Sequence, residues 1–110
     1  MEVLMNIVVL TPDQEIFRGK ITSVKVPGTS GQFQVLKGHA PIVSSLDSGA
    51  IELVTAKGEY RVYNDETGVI ETEDVPGRKI RYEVSGGFIE VLNDEISLLI
   101  QGLKSKNNKA

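Results

Sequence analysis

His39 is the single histidine of a 110-residue chain that contains no cysteine. One imidazole cannot assemble a multi-histidine zinc site, and without thiols the disulfides, thiolate catalysis and cysteine metal sites fall away together. Ser44, Ser45 and Asp47 stand close behind His39 and supply the residue types of a hydrolytic triad. A triad needs convergent side chains, whereas these follow His39 along one short extended segment that sends neighbours in different directions. The plainer reading is a histidine in the tight turn Gly38-His39-Ala40-Pro41, bonded to local backbone or facing a partner. Gly28-Thr29-Ser30-Gly31 has the outline of a Gly-x-x-Gly nucleic-acid loop, but it joins two strand-like runs and has only Lys25 and Lys37 nearby. Turn chemistry explains it better. No phosphate-cradling Gly-x-x-x-x-Gly-Lys-Ser/Thr and no dinucleotide-type Gly-x-Gly-x-x-Gly is present. The acids Asp65, Glu66, Glu71, Glu73 and Asp74 lack the spacing of a calcium loop, and solubility or edge protection accounts for them. The expectation is therefore no catalytic residue, no metal and no cofactor.

The elements that position these residues belong to one domain, since 110 residues leave no room for a second core. Hydrophobic residues at 40% are enough to build that core, and charged residues at 25% are enough to solvate its surface. No run approaches the roughly 18 apolar residues of a spanning helix. Glu2 stands where a secretory signal would carry lysine. The net charge of −3 argues against a general nucleic-acid binder, which needs a basic face.

Short β-branched runs punctuated by glycine, proline and Asn-Asp predict strands throughout, and helical spacing is nowhere sustained. Val3 to Leu10 is too apolar for clean alternation and reads as a strand buried on both faces or passing between two sheets. Ile21 to Val26 ends at Pro27-Gly28, Phe33 to Leu36 ends at the Gly38-Pro41 turn, and Ile42-Val43 resumes an extended path. Ile51 to Thr55 is expected to return through the hairpin Ala56-Lys57-Gly58-Glu59 into Tyr60 to Tyr63. Asn64 to Lys79 is acidic and forms an extended hairpin or a loop, with Pro76-Gly77 suited to a type II turn. Ile80, Tyr82 and Val84 share a face until Gly86-Gly87 permits a bulge or bend. Phe88 to Leu92 and Ile96 to Ile100 are joined by Asn93-Asp94, which tolerate the left-handed conformation of a two-residue hairpin loop. The sum is an all-β sandwich of about eight to ten strands in two sheets. It occupies residues 1–103, with an extra acidic segment at 64–79 and a polar, disordered tail at 104–110.

Three glycine-centred elements occur in a specific order: Val24-x-Val26-x-Gly28-x-x-Gly31-x-Phe33-x-Val35-x-x-Gly38-His39-Ala40-Pro41, then Gly49-x-Ile51, then Val84-Ser85-Gly86-Gly87-Phe88-Ile89-Glu90-Val91. In this order they resemble the epsilon subunit of rotary F-type ATP synthases, over its amino-terminal β-sandwich domain, from roughly Val3 to Ile100. The resemblance implies a non-catalytic rotor subunit. Such a subunit binds the gamma subunit and the ring of c subunits, and couples ion translocation to ATP synthesis or hydrolysis. It implies that Ser30, Gly31, Gln32 and His39 face the c ring, and that Thr11, Ala40, Pro41, Ile42 and Val43 lie towards gamma. Gln32 stands at a position often acidic in relatives, so a hydrogen bond would replace an ion pair there. Ala40-Pro41 can serve turn formation and contact together. The implied location is peripheral, on the cytoplasmic side of the bacterial plasma membrane, touching the membrane only through the complex and binding no nucleic acid.

Two departures accompany the resemblance. The family's two-helix carboxy-terminal domain has no counterpart, so neither ATP binding nor an inhibitory extension is expected. Asn64 to Lys79 is an apparent insertion between strands that most relatives join directly. A competing reading is a free-standing β-sandwich adaptor that binds a peptide or carbohydrate through strand edges or loops.

Overall fold

The computed structural model describes residues 4–64 and 66–104. Valine, isoleucine, leucine and aromatic residues dominate its runs, and among the described residues they form ten strands and no helix. In chain order these are β1 (Met5–Leu10), β2 (Glu15–Gly28), β3 (Gly31–Leu36), β4 (Ile42–Leu46) and β5 (Gly49–Thr55). They are followed by β6 (Tyr60–Asn64), β7 (Val69–Glu73), β8 (Lys79–Val84), β9 (Gly86–Leu92) and β10 (Glu95–Gln101).

One layer runs β4-β9-β10-β1, continues through the first half of β2, and ends with β6 and β7. The other is β3, the second half of β2, β5 and β8. β2 belongs to both layers, and its parity shows how. Phe17 and Ile21 face the core before an irregularity between Ile21 and Ser23, and Val24, Val26 and Gly28 face it afterwards. One extra residue at Thr22 moves the apolar set from odd to even positions, as a bulge must. A single bridge between Gly28 and Leu46 ties the end of β2 back to β4.

The core comes from strict alternation. Ile7 and Val9 stand opposite Ile96 and Leu98 in the parallel β1–β10 pair, and Ile96 and Leu98 stand opposite Val91 and Ile89 in β9. Leu53 lies between Val24 and Ile80 in the other layer, and Ile51 faces Tyr82. Burying each such side chain contributes about 1.5–3 kcal/mol relative to exposure.

Several expectations are met in detail. Ile80, Tyr82 and Val84 are buried and alternate with exposed neighbours. Asn93 and Asp94 both hold positive φ, 52° and 62°, in the two-residue β9–β10 turn. Gly77 has φ 77°, as a type II turn after Pro76 requires. Gly87 has φ 151°, and a Cβ there would sit 2.2 Å from the Leu99 carbonyl oxygen, so the Gly86-Gly87 pair lets β9 and β10 close together.

Three expectations are corrected. β1 does not pass between two sheets: Met5, Ile7 and Val9 face the core while Val8 and Leu10 are half-buried on the outside. Glu15 to Lys20, unassigned from sequence, is the first half of β2. Tyr60 to Tyr63 does not pair with Ile51 to Thr55. β5 pairs with β8 directly, from Gly49↔Val84 to Val54↔Lys79, and β6 pairs with β7 and with Phe17 and Arg18 of β2.

The β6–β7 hairpin therefore lies within the β5–β8 connection, which runs from Ala56 to Arg78. Its base is pinned at Thr55. Thr55 N–H donates to Arg78 O at 2.9 Å, Gly77 N–H to Thr55 O at 2.8 Å, and the Thr55 hydroxyl to Val75 O at 2.6 Å. Tyr60 then stacks on Phe17, with ring centroids 5.3 Å apart, and fills the space beside Gly19, where a Cβ would lie 2.4 Å from that of Tyr60. Leu103 packs against the core, and Lys104 N–H donates to Glu83 O at 2.9 Å. Val3, Asp65 and the remainder of the expected tail, residues 105–110, lie outside the described residues.

Candidate interaction surfaces

The turn after β3 is fixed by a residue from the opposite end of the sequence. Asp94 accepts from Gly38 N–H at 2.8 Å through Oδ1 and from Lys37 Nζ at 2.9 Å through Oδ2. These bonds, the Gly38 amide first and Lys37 second, hold the Asp94 carboxyl below its ordinary value. Gly38 has φ 84°, a conformation that favours glycine, and His39 N–H closes the turn on Leu36 O at 3.0 Å. The Asp94 brace escapes a reading of sequence, where Asn93-Asp94 registers only as a hairpin loop.

His39 is half-buried, its Nδ1 lies 2.7 Å from Ala40 O, and its ring is tilted over Phe33 with centroids 6.4 Å apart. A carbonyl only accepts, so Nδ1 carries a proton in that contact. The Ser44 hydroxyl donates to Ser45 O at 3.1 Å. His39 and Ser44 are thus engaged with local backbone.

Ser30, Gly31 and Gln32 are exposed at the tip of the β2–β3 hairpin. Thr29 N–H on Ser45 O at 3.2 Å and Asp47 N–H on Pro27 O at 2.8 Å brace that tip against the β4–β5 connection. The Phe33 ring packs on Gly28 at one side and meets His39 at the other. Phe33 thus links the His39 turn to the Gly28 base of the hairpin whose tip carries Ser30, Gly31 and Gln32.

The outer face of β4-β9-β10-β1 carries a second surface. Ser45, Phe88, Leu99 and Leu10 are cross-strand neighbours in one row, and Val43, Glu90, Ser97 and Val8 in the next. Val43 is 72% exposed, Phe88 54% and Leu99 48%, so a contiguous apolar patch faces outward. Val43 lies within it. Thr11 follows Leu10 at its margin, with its hydroxyl engaged by Asp13 N–H at 3.3 Å and Gln14 N–H at 3.1 Å. Ala40 and Pro41 are exposed, whereas Ile42 packs against the core. The signal for this patch was present in sequence as Val8-Val9-Leu10 and Leu98-Leu99-Ile100, runs that are apolar on both strand faces. A half-buried outer face explains them.

A concavity of about 490 Å³ lies farther along the same face. Arg18, Lys20 and Arg61 line it together with Glu59 and Glu95, so it shows no single sign of charge.

The family profile described as ATP synthase, delta/epsilon chain, β-sandwich domain matches residues 4–75. The ATP synthase epsilon chain of Chlorobaculum tepidum is 34% identical over 93 residues, covering 84% of both chains. The chloroplastic epsilon chain of Galdieria sulphuraria is 33% identical over 98 residues, and the match covers 89% of this chain and 56% of the relative. The present chain thus spans little more than half the length of that protein. Among solved structures, a chain of the Euglena gracilis mitochondrial ATP synthase, described as OSCP/F1/c-ring, superposes with a TM-score of 0.69 at 19% identity. That superposition covers 94% of this chain and 54% of the other, and at this identity it speaks for the fold. Profile, identity and ten-stranded architecture agree: the chain belongs to the ATP synthase epsilon family, of which it carries the β-sandwich domain.

Proposed function

We propose that this chain is a non-catalytic coupling subunit of an ATP synthase rotor. In this reading the outer face of β4-β9-β10-β1 docks on the gamma subunit and the Ser30-Gln32 and His39 end rests on the c ring. The sandwich works on the cytoplasmic side of a bacterial plasma membrane, held there through the complex. The observation that carries the reading is the exposed apolar patch of Val43, Phe88 and Leu99, in a chain of the epsilon family. Contiguous apolar area on a close-packed sandwich marks an interaction site, and a stiff body passes torque on where a compliant one would absorb it.

The gamma contact is tested by Phe88→Glu with Leu99→Glu, both outward-facing. The expected result is loss of co-purification with gamma while the thermal transition stays within a few degrees of wild type. Undiminished co-purification would sink the docking face. For the ring contact, Gln32→Ala with His39→Ala is expected to lower ATP-driven ion pumping at unchanged ATP hydrolysis. Unaltered pumping would remove these residues from the ring surface.

A further inference from the structure

The two layers do not meet on the side where β7 and β8 end them. Among the described residues β7 pairs only with β6 and β8 only with β5, and both strands line one cleft of about 210 Å³. Ile16, Val62, Ile80 and Leu103 give this cleft an apolar floor, with Glu71 at its β7 wall. A polar clasp shuts one end: Tyr60 Oη accepts from Arg78 Nη1 at 3.3 Å and donates to Glu73 at 3.1 Å, and Arg78 also pairs with Glu73. The rest of the β7 edge pairs with no further strand among the described residues. Alternate residues of an edge strand turn their N–H and C=O groups outward, a template for another strand.

The protection of this edge is acidic. β7 has no proline and no lysine, and Val69 and Ile70 are half-exposed. Residues 65–74 hold five carboxylates and no lysine or arginine. Glu66, Glu71 and Asp74 have no ion pair among the described residues. This charge selects the occupant. A second copy joining β7 to β7 would bring Glu71 and Glu73 against their own kind, and like charges opposed across strands repel. A cationic strand would meet the opposite situation.

We propose that the β7 edge receives an extended, lysine- or arginine-bearing segment of a partner polypeptide as an additional strand. Its alternate side chains reach Glu71 and the cleft on one side and lie over Ile70 on the other. Main-chain bonds supply pairing and the acidic wall supplies selectivity. The surface lies apart from the Val43-Phe88-Leu99 patch, so this inference stands or falls separately from the docking of gamma.

The test is an amide NMR titration of the whole chain with a capped peptide of alternating lysine and valine. A control peptide keeps the lysines but has proline in place of each valine. Saturable shifts confined to Val69–Glu73 and the cleft, absent with the proline peptide, are expected. Glu71→Lys should weaken binding about tenfold while leaving the β6–β7 hairpin shifts native. Equal binding of the proline peptide, shifts on another edge, or no binding would overturn the proposal. Slow exchange of the outward β7 amides in the free protein would overturn it too, by showing the edge already occupied by this chain's own tail or by a second copy.

Discussion

The carboxylate of Asp94 accepts from the Gly38 amide and the Lys37 ammonium at once, so one side chain joins the β9–β10 turn to the turn that carries His39. Its folded pKa lies below the ordinary 3.8. On acidification the unfolded chain therefore takes up this proton first. The contribution of Asp94 to stability is complete above the ordinary carboxylate range and is lost as pH falls through the lowered folded value. The Gly38 amide shift is expected to hold from neutral pH down to about pH 4 and to move below it. In Asp94→Asn, which keeps a residue tolerant of positive φ, that acid transition should vanish. A transition centred near neutrality would contradict the assignment. Gly87→Ala is a second prediction for a single position. Overlap with the Leu99 carbonyl and a strained φ together should cost on the order of 3 kcal/mol, read as a lower denaturation midpoint at unchanged m-value.

The attachment of the β6–β7 hairpin depends on Tyr60. Tyr60→Ala should cost roughly 3–5 kcal/mol, since it removes the ring stacked on Phe17. Tyr60→Phe should cost only about 1 kcal/mol, the worth of its hydroxyl bonds to Arg78 and Glu73. Urea unfolding of the two variants separates packing from bonding, and equal losses would refute the division. Reading the chain alone pairs β5 with β6, because Ala56-Lys57-Gly58-Glu59 is chemically a good hairpin turn. What decides against it is long-range: Lys79 to Val84 is a better apolar match for β5, and Tyr60 has a vacancy beside Gly19 to fill. The first half of β2 is hidden for a similar reason, since Ile16 and Phe17 are both buried and a later bulge resets the alternation. By contrast Asn93-Asp94, Pro76-Gly77 and Ile80-Tyr82-Val84 are legible because their signal is local. The same division holds at the candidate surfaces. The Gly38-Pro41 turn shows in sequence, while Asp94 and Phe33 join it only after the chain has folded back.

Across the described residues, first and last strands pair with each other, so the layer that holds β4, β9, β10 and β1 is not complete until strands far apart in sequence meet. Loop closure must come before that contact is rewarded. Folding is expected in the millisecond-to-second range of non-local β proteins, measurable by stopped flow. Folding in microseconds would show that the ladder between the ends is not rate-determining. The parallel sense of β1 and β10 has a further consequence. Opposite forces applied to the two chain ends act along this ladder, so its hydrogen bonds are loaded together in shear. An antiparallel pair pulled from adjacent ends would instead open one bond at a time, like a zip. The domain should therefore resist stretching between its termini better than its modest size implies, and yield abruptly when the β1–β10 ladder slips.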